Sequence, residues 1–345
     1  MRAKGWLKTN SARSIIGCKD GQRQGERMAL RLVDKWIWDT WFAFDGENHH
    51  VFYLQASRAL GDPNRRHRNV NVGHAISADL KNWTQVVDAL TPSESPAFDS
   101  WTTWTGSVVR DHAAGVWRMF YTGTSREDGG ERQTVGVATS MDLLVWEKVS
   151  GNPVAAADPR WYQTLKSGFT NEPFRDPWVF KLPGEQNWTM LTTAADSHAS
   201  DQQQRGLMGV AKSADLIQWE VQPPLGKSGQ GFGETEVFQF EIVDGIPILL
   251  FCCGPIWLSQ ERRNAGELGG VYSLAVSADL SDVDFNRATL FPDTTLYASR
   301  LVQGKDGGWN LLAFVNEVDG KFVGELSDPI PVTADPIRGL VPKQA

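Results

Sequence analysis

Short apolar runs separated by turn residues recur along this chain at a near-constant interval. Ser77-Ala-Asp-Leu-Lys-Asn-Trp83 returns as Ser140-Met-Asp-Leu-Leu-Val-Trp146 and Ser213-Ala-Asp-Leu-Ile-Gln-Trp219. A weaker copy is Ser277-Ala-Asp-Leu-Ser-Asp-Val283. Successive copies begin 63, 73 and 64 residues apart. A strand-like run precedes each copy, starting at Val72, Val135, Met208 and Tyr272. A second run starts at Val51, Met119, Trp188 and Ile246, and a first run at Ile37, Gly106, Pro177 and Glu236. Turn pairs such as Asp45-Gly46, Pro183-Gly184 and Asp244-Gly245 separate them. The repeating unit is therefore a four-stranded antiparallel meander.

Four clear copies are followed by a less regular fifth, with candidate strands at 294–302, 309–315 and 322–326. This pattern predicts an all-β, five-bladed β-propeller over residues 28–345, with no C-terminal β-sandwich. Two sandwich domains are the competing architecture, but sandwiches need no repeated Asp-Leu-x-x-Trp corner. In that corner the Ser and Asp side chains can bond nearby backbone amides and hold a tight turn. Asp79, Asp142, Asp215 and Asp279 are accordingly read as structural acids. The repeated Trp is read as packing between blades.

Composition narrows the picture. The net charge of −7 argues against a nucleic-acid-binding surface. No 18-residue apolar run exists, so no membrane span is expected. Cys18, Cys252 and Cys253 make no disulfide framework, which suits a reducing, cytoplasmic setting. Their spacing offers no metal site, and no cofactor is expected. Residues 1–27 are basic and polar without an apolar signal core. They are expected to be an extension outside the fold, open to disorder, with Met28 resembling a second start. The 15 Trp residues exceed ordinary usage, as core mass or as platforms for sugar rings.

Three acids do not belong to the repeat. Asp39 lies in Trp36-Ile-Trp38-Asp39-Thr-Trp41, Asp176 in Phe174-Arg175-Asp176-Pro177, and Glu236 in Glu234-Thr-Glu236-Val-Phe. All fall at first strands, of blades one, three and four, where propeller ligands bind. Pro177 lacks an amide proton and fits the start of a strand. Glycoside cleavage needs a general acid and a second carboxylate acting as nucleophile or base. Glu236, between apolar neighbours and facing other acids, fits a carboxyl held protonated. Asp39 would be its ionised partner, and Asp176 with Arg175 would bind sugar hydroxyls. Glu234 competes with Glu236, since residues two apart face one side of a strand. Asp34 and Asp45 are weaker competitors to Asp39.

These stretches resemble glycoside hydrolase family 32 and its clan relative family 68, the β-fructofuranosidases and fructosyltransferases. Arg175-Asp176-Pro177 matches the clan's Arg-Asp-Pro motif. Glu236-Val-Phe-Gln is similar to its Glu-Cys-Pro motif, with Cys and Pro replaced. Trp104-Thr-Gly-Ser107 resembles Phe-Ser-Gly-Ser, Phe52-Tyr-Leu-Gln55 resembles Phe-Tyr-Gln, and residues 73–83 resemble Gly-His-Ala-x-Ser-x-Asp-Leu-x-x-Trp. The resemblance implies Asp39 as nucleophile, Glu236 as acid/base and Asp176 as transition-state stabiliser. It implies Arg175, Gln55, Trp38, Trp41, Trp104, Ser107 and Glu234 as substrate contacts. The partner would be a small carbohydrate, and a homo-oligomer would cover exposed propeller surface. The clan's Asn-Asp-Pro-Asn-Gly is altered around Asp39, which bears on fructose specificity.

Three rival readings share this fold. They are an inverting enzyme like glycoside hydrolase family 43, a glycan phosphorylase, and a carbohydrate-binding propeller without catalysis. One further stretch, Arg58 to Arg68, carries four arginines between the second and third strands of blade one. It reads either as a solvated loop or as a rim that meets substrate.

Overall fold

A computed structural model describes residues 30–343. The proposed extension at residues 1–27 lies outside the described residues. Five antiparallel sheets follow one another along the chain. Their first strands are Lys35–Phe44, Thr102–Asp111, Phe174–Lys181, Glu236–Val243 and Leu296–Gln303. Each of these strands touches the next, and the fifth touches the first. The sheets are the blades of a closed five-bladed β-propeller, and the first strands surround its axis.

Strand alternation explains why the ring holds together. In the second strand of blade one, Phe52 and Leu54 point into a core shared with blade two. Val51 and Tyr53 point the other way, into a core shared with blade five. Period-two alternation thus buries both faces of one sheet. Three further cores join blades two and three, three and four, and four and five.

The Asp-Leu corners behave as the sequence predicts. Asp79 Oδ1 accepts the amides of Lys81 and Asn82 at 2.9 and 2.8 Å. Asp142 and Asp215 repeat this with the amides two and three residues on. The following Leu sits in the left-handed region, with φ of 65°, 65°, 63° and 60° at Leu80, Leu143, Leu216 and Leu280. All four leucines are buried, which offsets the strain of that conformation. Trp146 and Trp219 each cross to the preceding blade, at 5.6 Å from Phe52 and 5.3 Å from Phe120.

Blade five departs from the repeat. Its second strand, Trp309–Val318, pairs with Lys321–Leu326 along one half and with Ile330–Asp335 along the other. Asp328-Pro329 separates the two partners, since a proline cannot donate to a ladder. A last strand, Gly339–Pro342, completes the sheet. The ring closes where the Leu326 amide donates to the Leu30 carbonyl at 3.1 Å.

Candidate active site

Every first strand carries a β-bulge. The interruptions fall at Asp39, Thr105, Asp176-Pro177, Val237-Phe238 and Ala298-Ser299. Bulges bend a strand and re-aim the extra side chain. Asp39, Asp176, Val237 and Ala298 accordingly take positive φ, at 28°, 58°, 57° and 45°. Pro177 is therefore not the first residue of its strand. It lies inside Phe174–Lys181, at the bulge, which is the other place a sheet tolerates proline.

Bulge residues of the first four blades, Asp39, Thr105, Asp176 and Val237, line one mouth of the axis. A cavity of about 270 Å³ there is lined by Asp39, Asp176 and Glu236, with Trp38, Trp104 and Arg175 among its walls. Asp39 Oδ2 accepts from Thr105 Oγ1 at 2.5 Å. Asp176 Oδ2 accepts from Thr193 Oγ1 at 2.8 Å, and the Asp176 amide donates to Thr122 Oγ1 at 2.8 Å. Arg175 ties the acids together. Its guanidinium donates to Glu236 at 2.5 Å, Glu234 at 3.0 Å and Gln133 at 3.0 Å, and lies 3.4 Å from Asp176. Glu236 also accepts from the Tyr297 hydroxyl.

The electrostatics differ from expectation. Burial above all, with the negative charges of Asp176 and Glu236, raises Asp39 to about 7, while the Thr105 bond opposes them. Burial also raises Asp176, against the pull of Arg175. Glu234 is raised to about 7 by burial, against Arg175. The carboxyl expected to be the ready anion, Asp39, is thus raised by desolvation, as are Asp176 and Glu234. Glu236 instead faces two donors. Its neighbours Val237 and Phe238 form the bulge and leave it to Arg175 and Tyr297.

Four expected contacts lie outside the cavity. Gln55 is buried inside blade one and accepts from Lys35 Nζ at 3.1 Å. It faces Gly73, whose missing Cβ leaves room for it, so alternation puts Leu54 on the cavity instead. Trp41 is fully buried against Phe52, with centroids 6.2 Å apart. Ser107 is used between blades, accepting the Val179 amide at 3.1 Å. Glu234 sits behind Arg175 and anchors it. Glu234 and Glu236 do share one side, as their spacing implies.

Sequence reasoning did not assign Thr105, Thr193, Thr122, Gln133 or Tyr297. These are ordinary strand residues whose role depends on a partner blade, and only Thr105 stood within a quoted motif. The arginine-rich stretch splits in two. Arg66 and His67 line the cavity. Arg58 instead bolts blade one to blade five through Val323 O at 3.2 Å, and Arg68 stacks over Trp101 at 4.6 Å. Burial lowers Arg66 to about 10 and His67 to about 4.

A closed five-bladed propeller with three carboxylates at or beside bulges around one axial mouth defines a carboxylate-centred class of propeller. Residues 38–323 match the model for the glycosyl hydrolases family 32 N-terminal domain. The chain belongs to glycoside hydrolase family 32. Beta-fructofuranosidase 1 of Zea mays is 29% identical over 175 residues, which are 50% of this chain and 24% of that protein. Beta-fructofuranosidase, insoluble isoenzyme 5, of Oryza sativa is 33% identical over 152 residues, 43% of this chain and 24% of that protein. The matched region thus spans about a quarter of these relatives. Among solved structures, the Bombyx mori GH32 beta-fructofuranosidase BmSUC1 superposes with a TM-score of 0.70 at 19% identity, covering 92% of this chain and 64% of its own. The inulosucrase from Halalkalicoccus jeotgali bound to kestose gives 0.70 at 20% identity, covering 93% of both. At such identities the superpositions speak for the fold.

Proposed function

We propose that this chain is a retaining glycoside hydrolase or transglycosylase acting on β-fructofuranosides. The observation that carries this is the convergence of Asp39, Asp176 and Glu236, from three blades, on one cavity in a family 32 chain. The names of the relatives, β-fructofuranosidases, support the substrate class.

In this mechanism an Asp39 oxygen attacks the anomeric carbon of the fructosyl unit. The bond to the leaving oxygen breaks, and Glu236 gives that oxygen its proton. Water or an acceptor hydroxyl then attacks the same carbon, returns a proton to Glu236 and releases the Asp39 carboxylate. Arg175 and Tyr297 stabilise Glu236 as an anion once it has given up its proton. Asp176, held by Thr193 and by the Thr122 contact to its amide, is fixed beside the sugar, where its charge offsets the positive charge developing on the ring. A nucleophile with a raised pKa is a strong one once ionised, and Thr105 holds its geometry. The two described cysteines, Cys252 and Cys253, are buried and unbridged, in keeping with a cytoplasmic setting, which is part of the proposal.

The test is product analysis by NMR with sucrose, short fructo-oligosaccharides, inulin and levan, beside arabino- and xylo-oligosaccharides. Fructosyl release with retained configuration, lost in Asp39→Asn, is the expected result. Activity confined to the pentosides with inverted product would overturn the reading in favour of a family 43-like enzyme. Strict dependence on phosphate would overturn it in favour of a phosphorylase.

A further inference from the structure

The axis has a second cavity at its other end. Its volume is about 460 Å³, larger than the acid-lined mouth. Its walls come from the trailing halves of first strands: Phe44 of blade one, Trp178 of blade three, Glu241 of blade four and Arg300 of blade five. Trp309, opening the second strand of blade five, and Lys305 complete the rim. The proposed reaction uses none of these groups as a contact to substrate.

Two buried donors beside this cavity have no partner among the described residues, and one carboxyl has a single protein partner. Arg300 is only 1% exposed, and its Nε has no hydrogen-bond partner among the described residues. Its terminal nitrogens are occupied by the carbonyls of Val237, Phe238 and Gly106. Trp178 Nε1 is likewise buried without a partner among the described residues. Glu241 receives one long bond, from Gln239 Nε2 at 3.2 Å. Both nitrogens are covered by their own surroundings, so contact with a ligand falls to the polar groups that face the cavity, Glu241 and Lys305.

The chemistry of the walls selects the ligand. The Lys305 ammonium and the Glu241 carboxyl suit hydroxyl groups, which both accept and donate. Phe44 is 42% exposed, and Trp178 and Trp309 are half-buried, so flat apolar faces stand beside the polar groups. That pairing fits a sugar ring, with a C–H face and a hydroxyl rim. A metal ion is disfavoured, because a single acid faces the cations of Arg300 and Lys305. An anion is disfavoured by the Glu241 carboxyl on the wall. Burial raises Glu241 to about 7, so near neutrality it can serve as acceptor or donor.

We propose that this far cavity is an accessory binding site for a neutral mono- or disaccharide, separate from the acid-lined mouth. The site stands whether or not the fructoside reading of that mouth is correct.

The experiment is equilibrium dialysis of the full Asp39→Asn chain with radiolabelled sucrose, fructose and xylobiose. Bound equivalents are counted in that background with Trp309→Ala, Trp309→Phe, Glu241→Gln or Trp104→Ala added. For at least one sugar we expect an equivalent that Trp309→Ala and Glu241→Gln weaken at least tenfold. Trp309→Phe, which keeps an aromatic face, should retain it, and Trp104→Ala should leave it in place. Trp309→Ala in the wild-type chain should keep kcat within twofold, which also shows that the variant folds. Binding that only Trp104→Ala removes, or no binding of any saccharide, overturns the proposal. An equivalent lost with Trp309→Ala, without any lost with Trp104→Ala, supports the far site and counts against the fructoside reading alone.

Discussion

Asp39 combines a positive φ, burial and two neighbouring acids, the last two unfavourable to its charged form. Its carboxyl is raised from 3.8 to about 7 on folding. Between those values the folded chain binds a proton that the unfolded chain releases. The contribution of this residue to stability therefore falls as pH rises from about 4 to about 7. Asp39→Asn should lower kcat by at least about 10⁴-fold. The same change should raise Tm at pH 7.5, by roughly 1–2 °C for each kcal/mol of relieved desolvation. Thermal scans at pH 4 and 7.5 check this, and the gain should be confined to the higher pH. As attack needs the ionised form, kcat/KM should fall on acidification with a midpoint near 7. Arg66 lines the cavity, its charge lowers the pKa of Asp39, and it packs over Phe322 at 4.0 Å. Arg66→Met should move that midpoint upward by about 0.5 unit. A pH–rate profile with an unmoved acid limb would leave Arg66 with a packing role only.

At the scale of the element, what the sequence displays is what repeats. The Ser-x-Asp-Leu-x-x-Trp corner is local, its hydrogen bonds span two or three residues, and so its role can be read directly. Asp142 shows this, accepting Leu144 N at 2.9 Å and Val145 N at 3.0 Å. Those amide bonds lower its pKa, so the corner is strongest above the carboxyl's ordinary value and weakens as pH falls through the lowered one. Asp142→Ala should cost about 1 kcal/mol, by analogy with loss of a helix cap, with kcat unchanged. Denaturant titration at pH 7 measures the first and initial rates the second. The three acids were legible because motifs and first-strand position coincide. The bulges were not, because a bulge is defined by the count of residues on the partner strand. Gln55 illustrates the loss. Its motif suggested a sugar contact, but the pleat of its own strand turned it towards Gly73. Tyr297 was hidden for a different reason, since blade five has lost the repeat that would have marked its position.

For the whole molecule, the question is what fixes five wedges around an axis that must stay open at one mouth for chemistry. Adjacent blades share apolar cores, but such cores do not set how deep each inner strand sits. Arg300 supplies a fixed point. It is buried on the axis, donates to Val237 O at 3.0 Å and Phe238 O at 2.8 Å in blade four, and reaches Gly106 O at 3.4 Å in blade two. Its guanidinium also lies over Trp178 of blade three at 5.0 Å. One side chain of blade five thus touches three other blades, two of them at their bulges. Its positive charge lowers the pKa of Asp176, against the desolvation that raises it. Arg300→Met preserves length and apolar stem but removes the donors and the charge. The carbonyls of Val237 and Phe238 would be left buried and unpaired, at about 1–3 kcal/mol each. The variant should unfold at lower denaturant, and its Asp176 should titrate higher than in the wild type. Carbon-detected NMR of labelled aspartate measures that second effect directly. A variant that lost stability with Asp176 unmoved would make Arg300 a clamp alone, and both changes together would make the clamp of the ring part of the electrostatics of its site.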